Sequence, residues 1–254
     1  MMRTCRLLVA LLLFSLPTTL VQANPFDRMR EKGWTFELRA GCNLGGVTPI
    51  PLPAEVRKIE HFNPRFNAQL ELTATNWMQE HIGLSLGLRF EQMGMETKAQ
   101  VKNYKMELIN EGAVMTGVWT GRVQTTFSAS YLTLPLQMVY RFNDAIKFSA
   151  GTYFSWRFDG DFHGVVSDGH FRRGSSTGEK IVFDKDTKSP YTFKDYLSPI
   201  SVGIQLGGSA RVYKNLLFFA DMKYGLNGIF KKNFKTLSFA MHPFYLGTGF
   251  AYRF

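Results

Sequence analysis

Between Tyr131 and Phe142 the chain reads YLTLPLQMVYRF. Leu132, Leu134, Leu136, Met138, Tyr140 and Phe142 fall on one parity, and Thr133, Pro135, Gln137 and Arg141 fall on the other. Side chains of a strand alternate between its two faces, so the run predicts a strand whose faces meet different surroundings. This run predicts a strand that begins as early as Arg122, and seven further runs carry the same alternation, at 34–43, 66–77, 81–91, 146–158, 200–213, 216–226 and 244–254. In each, bulky Leu, Ile, Phe, Tyr or Trp holds one parity, while Gly, Ser, Thr and scattered charges hold the other.

The connections add a second pattern. Segments 44–65, 95–121, 159–195 and 227–243 are long, and they alternate with the tight connections 78–80, 143–145 and 214–215. Transmembrane β-barrels show this rhythm, with tight turns on the periplasmic side and long loops outside. About 10 residues per crossing, at ~3.3 Å each and a tilt near 45°, span roughly 23 Å, close to the ~25 Å apolar band of such barrels. A soluble barrel with its apolar face inward would show the same parity. Eight strands, however, enclose room for one set of side chains or one small ligand, and roughly forty bulky groups do not fit there. The expected fold is therefore all-β: an eight-stranded antiparallel up-and-down transmembrane β-barrel with long extracellular loops. Its apolar face meets lipid and both ends of the mature chain lie in the periplasm. Aromatics near the run ends (Trp34, Trp77, Tyr131, Tyr140, Trp156, Phe254) suit interfacial girdles. Pro135 is the awkward residue, because it removes a ladder donor from a sheet that needs every one.

The first residues fall outside this pattern. Arg3 and Arg6 precede a short apolar stretch from Leu7 to Leu16, and Val21-Gln22-Ala23 offers a small-residue cleavage site. Residues 1–23 read as a signal peptide, 24–33 as a periplasmic segment and 34–254 as one barrel domain. Cleavage removes Cys5 and leaves Cys42 alone, so no internal disulfide is expected. The formal charge of +10 would suit nucleic acid in a cytoplasmic protein. In an exported one it suits phosphate-bearing lipid or a soluble surface.

Charges on the polar parity would lie inside the bore, where they must be paired. The candidates for a lumenal ion-pair ladder are Glu37, Arg39, Glu71, Arg89, Glu91, Arg141, Arg157, Arg211, Asp221, Lys223 and Arg253. Basic residues of the predicted outer loops (Lys98, Lys102, Lys105, Arg172, Arg173, Lys231, Lys232 and Lys235) are candidates for binding lipopolysaccharide phosphates or acidic partners.

The stretches ELRAGCNLGGVTPIPLP, GLSLGLRFE, SYLTLPLQMVYRF, SVGIQLGG, FFADMKYGLNGIFKK and FYLGTGFAYRF occur in this order across nearly all of the mature chain. In this order and spacing the chain resembles the PorT-like outer-membrane β-barrel proteins of the Bacteroidetes. The resemblance implies delivery by the outer-membrane assembly machinery, with Phe250, Tyr252 and Phe254 at the place of that family's assembly signal. It also implies a candidate association with type IX secretion or with a surface protein partner.

Residues suited to catalysis are few. DFHGVVSDGH holds Asp161, His163, Ser167, Asp168 and His170, the residue types of a lipid hydrolase. They lack an elbow motif and lie in a predicted Gly-rich loop. His81 follows a tight turn and is expected at the periplasmic rim. Asp159, Asp161 and Asp168 match no calcium-loop spacing, and no phosphate loop or dinucleotide fingerprint occurs. Cys42 sits on the apolar parity, where a thiol is a poor nucleophile. The expectation is a monomeric, non-enzymatic outer-membrane protein without a cofactor or nucleic-acid partner, serving in binding, structure or secretion. The alternatives are an outer-membrane lipid-modifying hydrolase and a soluble periplasmic barrel carrying a small hydrophobic ligand.

Overall fold

The computed structural model describes residues 29, 31–49, 52–110, 113–234, 236–237 and 239–254. The predicted signal peptide and most of the predicted periplasmic segment lie outside these residues. Two units are distinguished, Met1–Trp34 and Thr35–Phe254. In the first, the Lys32 N–H donates to Met29 O (3.1 Å) ahead of Gly33, whose φ is +80°.

Among the described residues eleven strands follow in chain order. They are β1 (Trp34–Pro49), β2 (Val56–Pro64), β3 (Asn67–Trp77), β4 (Ile82–Asn110), β5 (Ala113–Arg141), β6 (Ile146–Arg173), β7 (Lys180–Phe183), β8 (Ser189–Thr192), β9 (Ile200–Tyr213), β10 (Leu216–Gly225) and β11 (Met241–Arg253). A 3-10 turn, Lys194–Tyr196, precedes β9.

The expectation of an eight-stranded up-and-down barrel is corrected in both count and plan. The strands form one antiparallel sheet of eleven, in the order β2-β4-β3-β1-β11-β10-β9-β6-β5. β2 stands at one end of that order as an added strand, so the sheet is not a plain eight-membered ring. β7 and β8 attach to β6, and β4 additionally pairs β5. The sheet is strongly coiled: Lys147 on β6 reaches Glu37 on β1, and Arg89 on β4 reaches Gln205 on β9 (3.3 Å). The face enclosed by this coil is called the bore below.

The predicted long loops are also corrected. Most of 95–121 is strand, because β4 and β5 form a hairpin of 29 residues per arm. At ~3.3 Å per residue each arm is roughly 95 Å of strand, far more than one crossing uses. β6 likewise runs on to Arg173. The tight turns all lie at the other end. One of them, before β6, is held by Asn143, whose Oδ1 accepts the N–H groups of Ala145 (2.8 Å) and Ile146 (2.7 Å).

Along the long arms the two faces exchange character. Low on β4, Leu84, Leu86, Leu88 and Phe90 point outward and are exposed, while Ser85, Arg89 and Glu91 are buried. Beyond Glu91 the buried positions become Met93, Met95 and Val101, and the exposed ones Gln92, Lys98 and Gln100. β5 repeats the exchange: Leu132, Leu134 and Leu136 are exposed, whereas Val123, Phe127 and Ala129 are buried on the parity of Thr133. β6 makes the same change across a bulge, where Tyr131 pairs Arg157 but Ser130 pairs Asp159. The molecule thus has an apolar outside and polar inside at one level, then a polar outside and apolar inside above it. The upper core includes Met106, Leu108, Trp119, Phe127, Phe162 and Phe171.

Pro135 is accommodated by its neighbour. Continuous register places it opposite Gly87, and a Cβ on Gly87 would stand 2.8 Å from the proline ring and 2.8 Å from Glu71 Oε1.

The exchange of faces makes a direct prediction. Leu86→Lys, in the apolar band, is expected to lower the unfolding free energy by about 2–4 kcal/mol. Ser128→Lys, on the outward face of β5 above the exchange, is expected to change it by less than about 0.5 kcal/mol. Phe127→Ala, at the same height but inward, is expected to lose about 3–5 kcal/mol. Urea titration of the protein in lipid vesicles, followed by tryptophan fluorescence, measures all three. Equal losses for the two lysine variants would refute the exchange.

Candidate functional site

The bore is filled by side chains from strands far apart in the sheet. Glu37, Glu71, Glu91 and Asp221 are buried there with Arg39, Arg89, Lys147 and Lys223. Arg89 is fully buried. Its Nε and Nη2 both stand 2.9 Å from Glu71 Oε2, and its Nη1 donates to Gln205 Oε1 (3.3 Å) and faces Glu91 (3.9 Å). Lys223 pairs Glu91 and donates to Asn43 Oδ1 (2.7 Å). Glu91 also accepts from Thr133 Oγ1 (2.7 Å) and from Asn43 Nδ2 (3.3 Å). Nearer the tight turns, Arg39 lies 3.2 Å from Asp221 and 3.7 Å from Glu37, while Lys147 pairs Glu37 and Arg253 approaches it at 3.2 Å. Small residues leave room for these heads: a Cβ on Gly247 would meet Gln69 Nε2 at 2.8 Å and Asn43 Oδ1 at 3.2 Å.

Three of the sequence candidates stand elsewhere. Arg141 stacks over the Trp77 ring (3.8 Å). Arg157 donates to the carbonyls of Ser198 (3.0 Å) and Leu197 (3.1 Å), and Arg211 donates to Asp144 O beside a tight turn. Asp221 and Lys223, two apart on β10, turn to different partners. Lys147 was missed as a site residue, although it shares the polar parity of β6 with Ser149 and Ser155. The neutral members Asn43, Gln69, Thr133 and Gln205 were missed as well. A polar residue on an inward position of a strand was the signal for all of them.

Above the charges lie Tyr131, Tyr153 and Tyr245, all buried and all within electrostatic reach of Glu91. The apolar core of the extension begins there. Burial pushes the phenols of Tyr104 and Tyr191 well above their usual range. Tyr191 Oη and Thr125 Oγ1 share a 2.6 Å hydrogen bond.

The outer basic residues do not form one cluster. Lys98, Lys102 and Lys105 are exposed along β4. Arg172 donates to Gly178 O (3.1 Å) and Arg173 faces Glu179 (3.5 Å). Lys231 donates to Asp195 O (2.7 Å), Lys232 is exposed, and Lys235 lies outside the described residues.

The residues suited to hydrolysis stand on strand β6, not on a loop. His163 Nδ1 lies 2.9 Å from Asp161, and Asp168 pairs Arg122 (3.1 Å). Burial, with Lys180 and Arg172 nearby, holds His170 below the usual histidine range. Among the described residues Ser167 makes no hydrogen bond to either histidine, and no group of three His, Cys, Asp or Glu could hold a metal. Cys42 is a free, half-buried thiol opposite Thr248. His81 sits beside a tight turn, its Nδ1 2.9 Å from Arg141 O.

Comparison with known proteins gives the family. Structures of Ail, the attachment invasion locus protein of Yersinia pestis, alone and in complex with the heparin analogue sucrose octasulfate, are similar at 12% identity and a TM-score of 0.37. The likeness covers 87% of this chain and 97% of that one, and is too distant to transfer a ligand. Curated proteins give no match. The pattern of the outer membrane protein beta-barrel domain family matches residues 22–231. The chain belongs to that family: it is an outer-membrane protein built of β-strands.

Proposed function

We propose that the protein is a membrane-anchored binding platform whose bore conducts nothing and whose β-extension presents the working surface. One observation carries this reading: the bore is occupied by mutually paired charges, with Arg89, Glu91 and Lys223 at most 1% exposed. A diffusing solute would have to break those pairs, and stripping one partner from a buried ion pair costs about 3–5 kcal/mol. The extension rises from the end opposite the tight turns, the end that faces outside in outer-membrane barrels. Its exposed Lys98, Lys102 and Lys105 suit phosphates of lipopolysaccharide. Residues 1–23 would be removed on export, and 24–33 would remain in the periplasm. The narrower affiliation, with PorT-like proteins, delivery by the assembly machinery and a secretion or surface partner, is supported by the sequence resemblance alone. Mild crosslinking in native outer membranes, then mass spectrometry of attached proteins, tests it. Recovery without secretion components would remove that narrower role and leave the platform.

In planar lipid bilayers the protein is expected to give no single-channel steps; sustained steps would overturn the blocked bore. Lys223→Met leaves Glu91 without its ammonium partner and is expected to lower stability by about 3–5 kcal/mol, with Glu91→Gln in the same chain restoring part of the loss. Urea unfolding in vesicles reads both. For the outer surface, the combined Lys98→Glu, Lys102→Glu and Lys105→Glu variant is expected to bind lipopolysaccharide vesicles about tenfold more weakly at low salt. The difference should shrink near 0.15 M salt, where screening acts over about 8 Å. Unchanged binding at low salt would remove these lysines from the proposed surface.

A further inference from the structure

The sheet splits beside β2. β3 separates β1 from β4 only as far as Asn67; beyond it β2 pairs β4 alone, and no pairing joins β2 to β1 among the described residues. Two features mark the fork. Asn67 is buried, and its Nδ2 donates to the carbonyls of Asn43 on β1 (3.2 Å), Gly94 on β4 (3.0 Å) and Arg65 (2.8 Å). Higher on β1, the Val47 N–H donates to the Met95 thioether (3.3 Å) instead of a strand carbonyl. A thioether is a weak acceptor, so this backbone group has lost its normal ladder partner.

An apolar cleft of about 410 Å³ opens at this split, within the ~300–1,000 Å³ range of small-molecule sites. Its rim is formed by Leu44, Phe244 and Leu246, which belong to the outward apolar face and are 40–45% exposed. Its floor includes Met95, Val101 and Val123, all buried. The space therefore runs from the lipid-facing surface into the core of the extension. Lys98 and Lys102 alternate with the cleft-lining Thr97, Ala99 and Val101 of β4. They and Lys58 of β2, which is paired to Gln100, are therefore exposed on the outward face outside the opening, beside Glu60, which pairs with Arg122 (3.2 Å).

We propose that this cleft takes one acyl chain of a phosphate-bearing membrane lipid, entering sideways from the leaflet through the split between β1 and β2. The opening is continuous with hydrocarbon, so a chain enters without exposing apolar surface to water. An acyl chain gains little hydrophobic energy on leaving a bilayer. It does supply atoms to a cleft whose walls otherwise lack partners on one side. The basic side chains on β2 and β4 then favour a lipid whose head carries phosphate. A phospholipid and the lipid A part of lipopolysaccharide share this chemistry.

Native mass spectrometry of the full chain, released from outer membranes in mild detergent, is the test. One lipid adduct per protein is expected, and its mass distinguishes phospholipid from lipid A. Ala99→Trp, which fills the cleft, should lower adduct occupancy at least tenfold. Val101→Phe, a milder filling, should lower it severalfold and serves if the tryptophan variant does not fold. Leu86→Phe, outside the cleft, should leave occupancy unchanged. Correct folding is checked by heat-modifiable gel migration. Absence of an adduct on the wild-type protein, or wild-type occupancy in a folded cleft-filling variant, would overturn the assignment. Lys58→Glu with Lys98→Glu should weaken retention. Undiminished retention in that variant would overturn the phosphate requirement.

Discussion

Hydrocarbon offers no hydrogen-bond partner, and the arrangement of this molecule follows from that constraint. Backbone groups at membrane level must pair along strands, and polar side chains there must turn inward. Inward charges in turn need opposite charges, which come from strands distant in sequence: Lys223 with Glu91, Arg39 with Asp221, Lys147 with Glu37. Each pair ties separate parts of the coiled sheet together, so the polar bore fixes its curvature as well as its contents. Where the ladder does fork, the Asn67 amide lies within hydrogen-bond distance of three carbonyls, those of Asn43, Arg65 and Gly94.

The outward greasy face at membrane level was legible in the sequence. Eight alternating runs lie in strands, and in seven of them the bulky parity is the exposed one, as at Leu84, Leu134 and Phe250, whereas Phe36 of the first run is buried. The number and plan of the strands were not legible. β2, with Arg57, Lys58, Glu60 and His61, reads as polar loop, yet it is the end strand of the sheet. The strand continuation from Lys98 to Asn110 was hidden by lysines and by a bulge between Val101 and Tyr104. Asn103 has φ +56° there, and alternation resumes beyond it with Met106 and Leu108 buried. Lysine-rich text looks like a loop only under the assumption that the apolar parity must keep facing outward. Above the membrane it faces in.

For the bore, residue type and parity identified most charges but not their partners. Asp221 and Lys223 are neighbours on one strand face, yet Asp221 meets Arg39 of β1 and Lys223 meets Glu91 of β4. Such pairs depend on sheet curvature, which no local pattern encodes. Arg141, Arg157 and Arg211 show the converse. They share the polar parity but sit near strand ends or a bulge, where a carbonyl or an indole ring is closer than any lumenal carboxylate.

The order of layers along the axis limits what the protein can do. From the tight turns upward come ion pairs, then Tyr131, Tyr153 and Tyr245, then a packed apolar core. An ion could exchange its hydration for the charges in the first layer, but the core above offers it nothing. An apolar solute could enter the core, but it would meet buried charge below. No single solute is matched to both layers, so the axis is a poor route for anything. The accessible chemistry is left at the sides: the lysine-bearing faces of the extension and the cleft beside β1. Both lie on surfaces that a rigid, filled bore holds at a fixed height relative to the membrane.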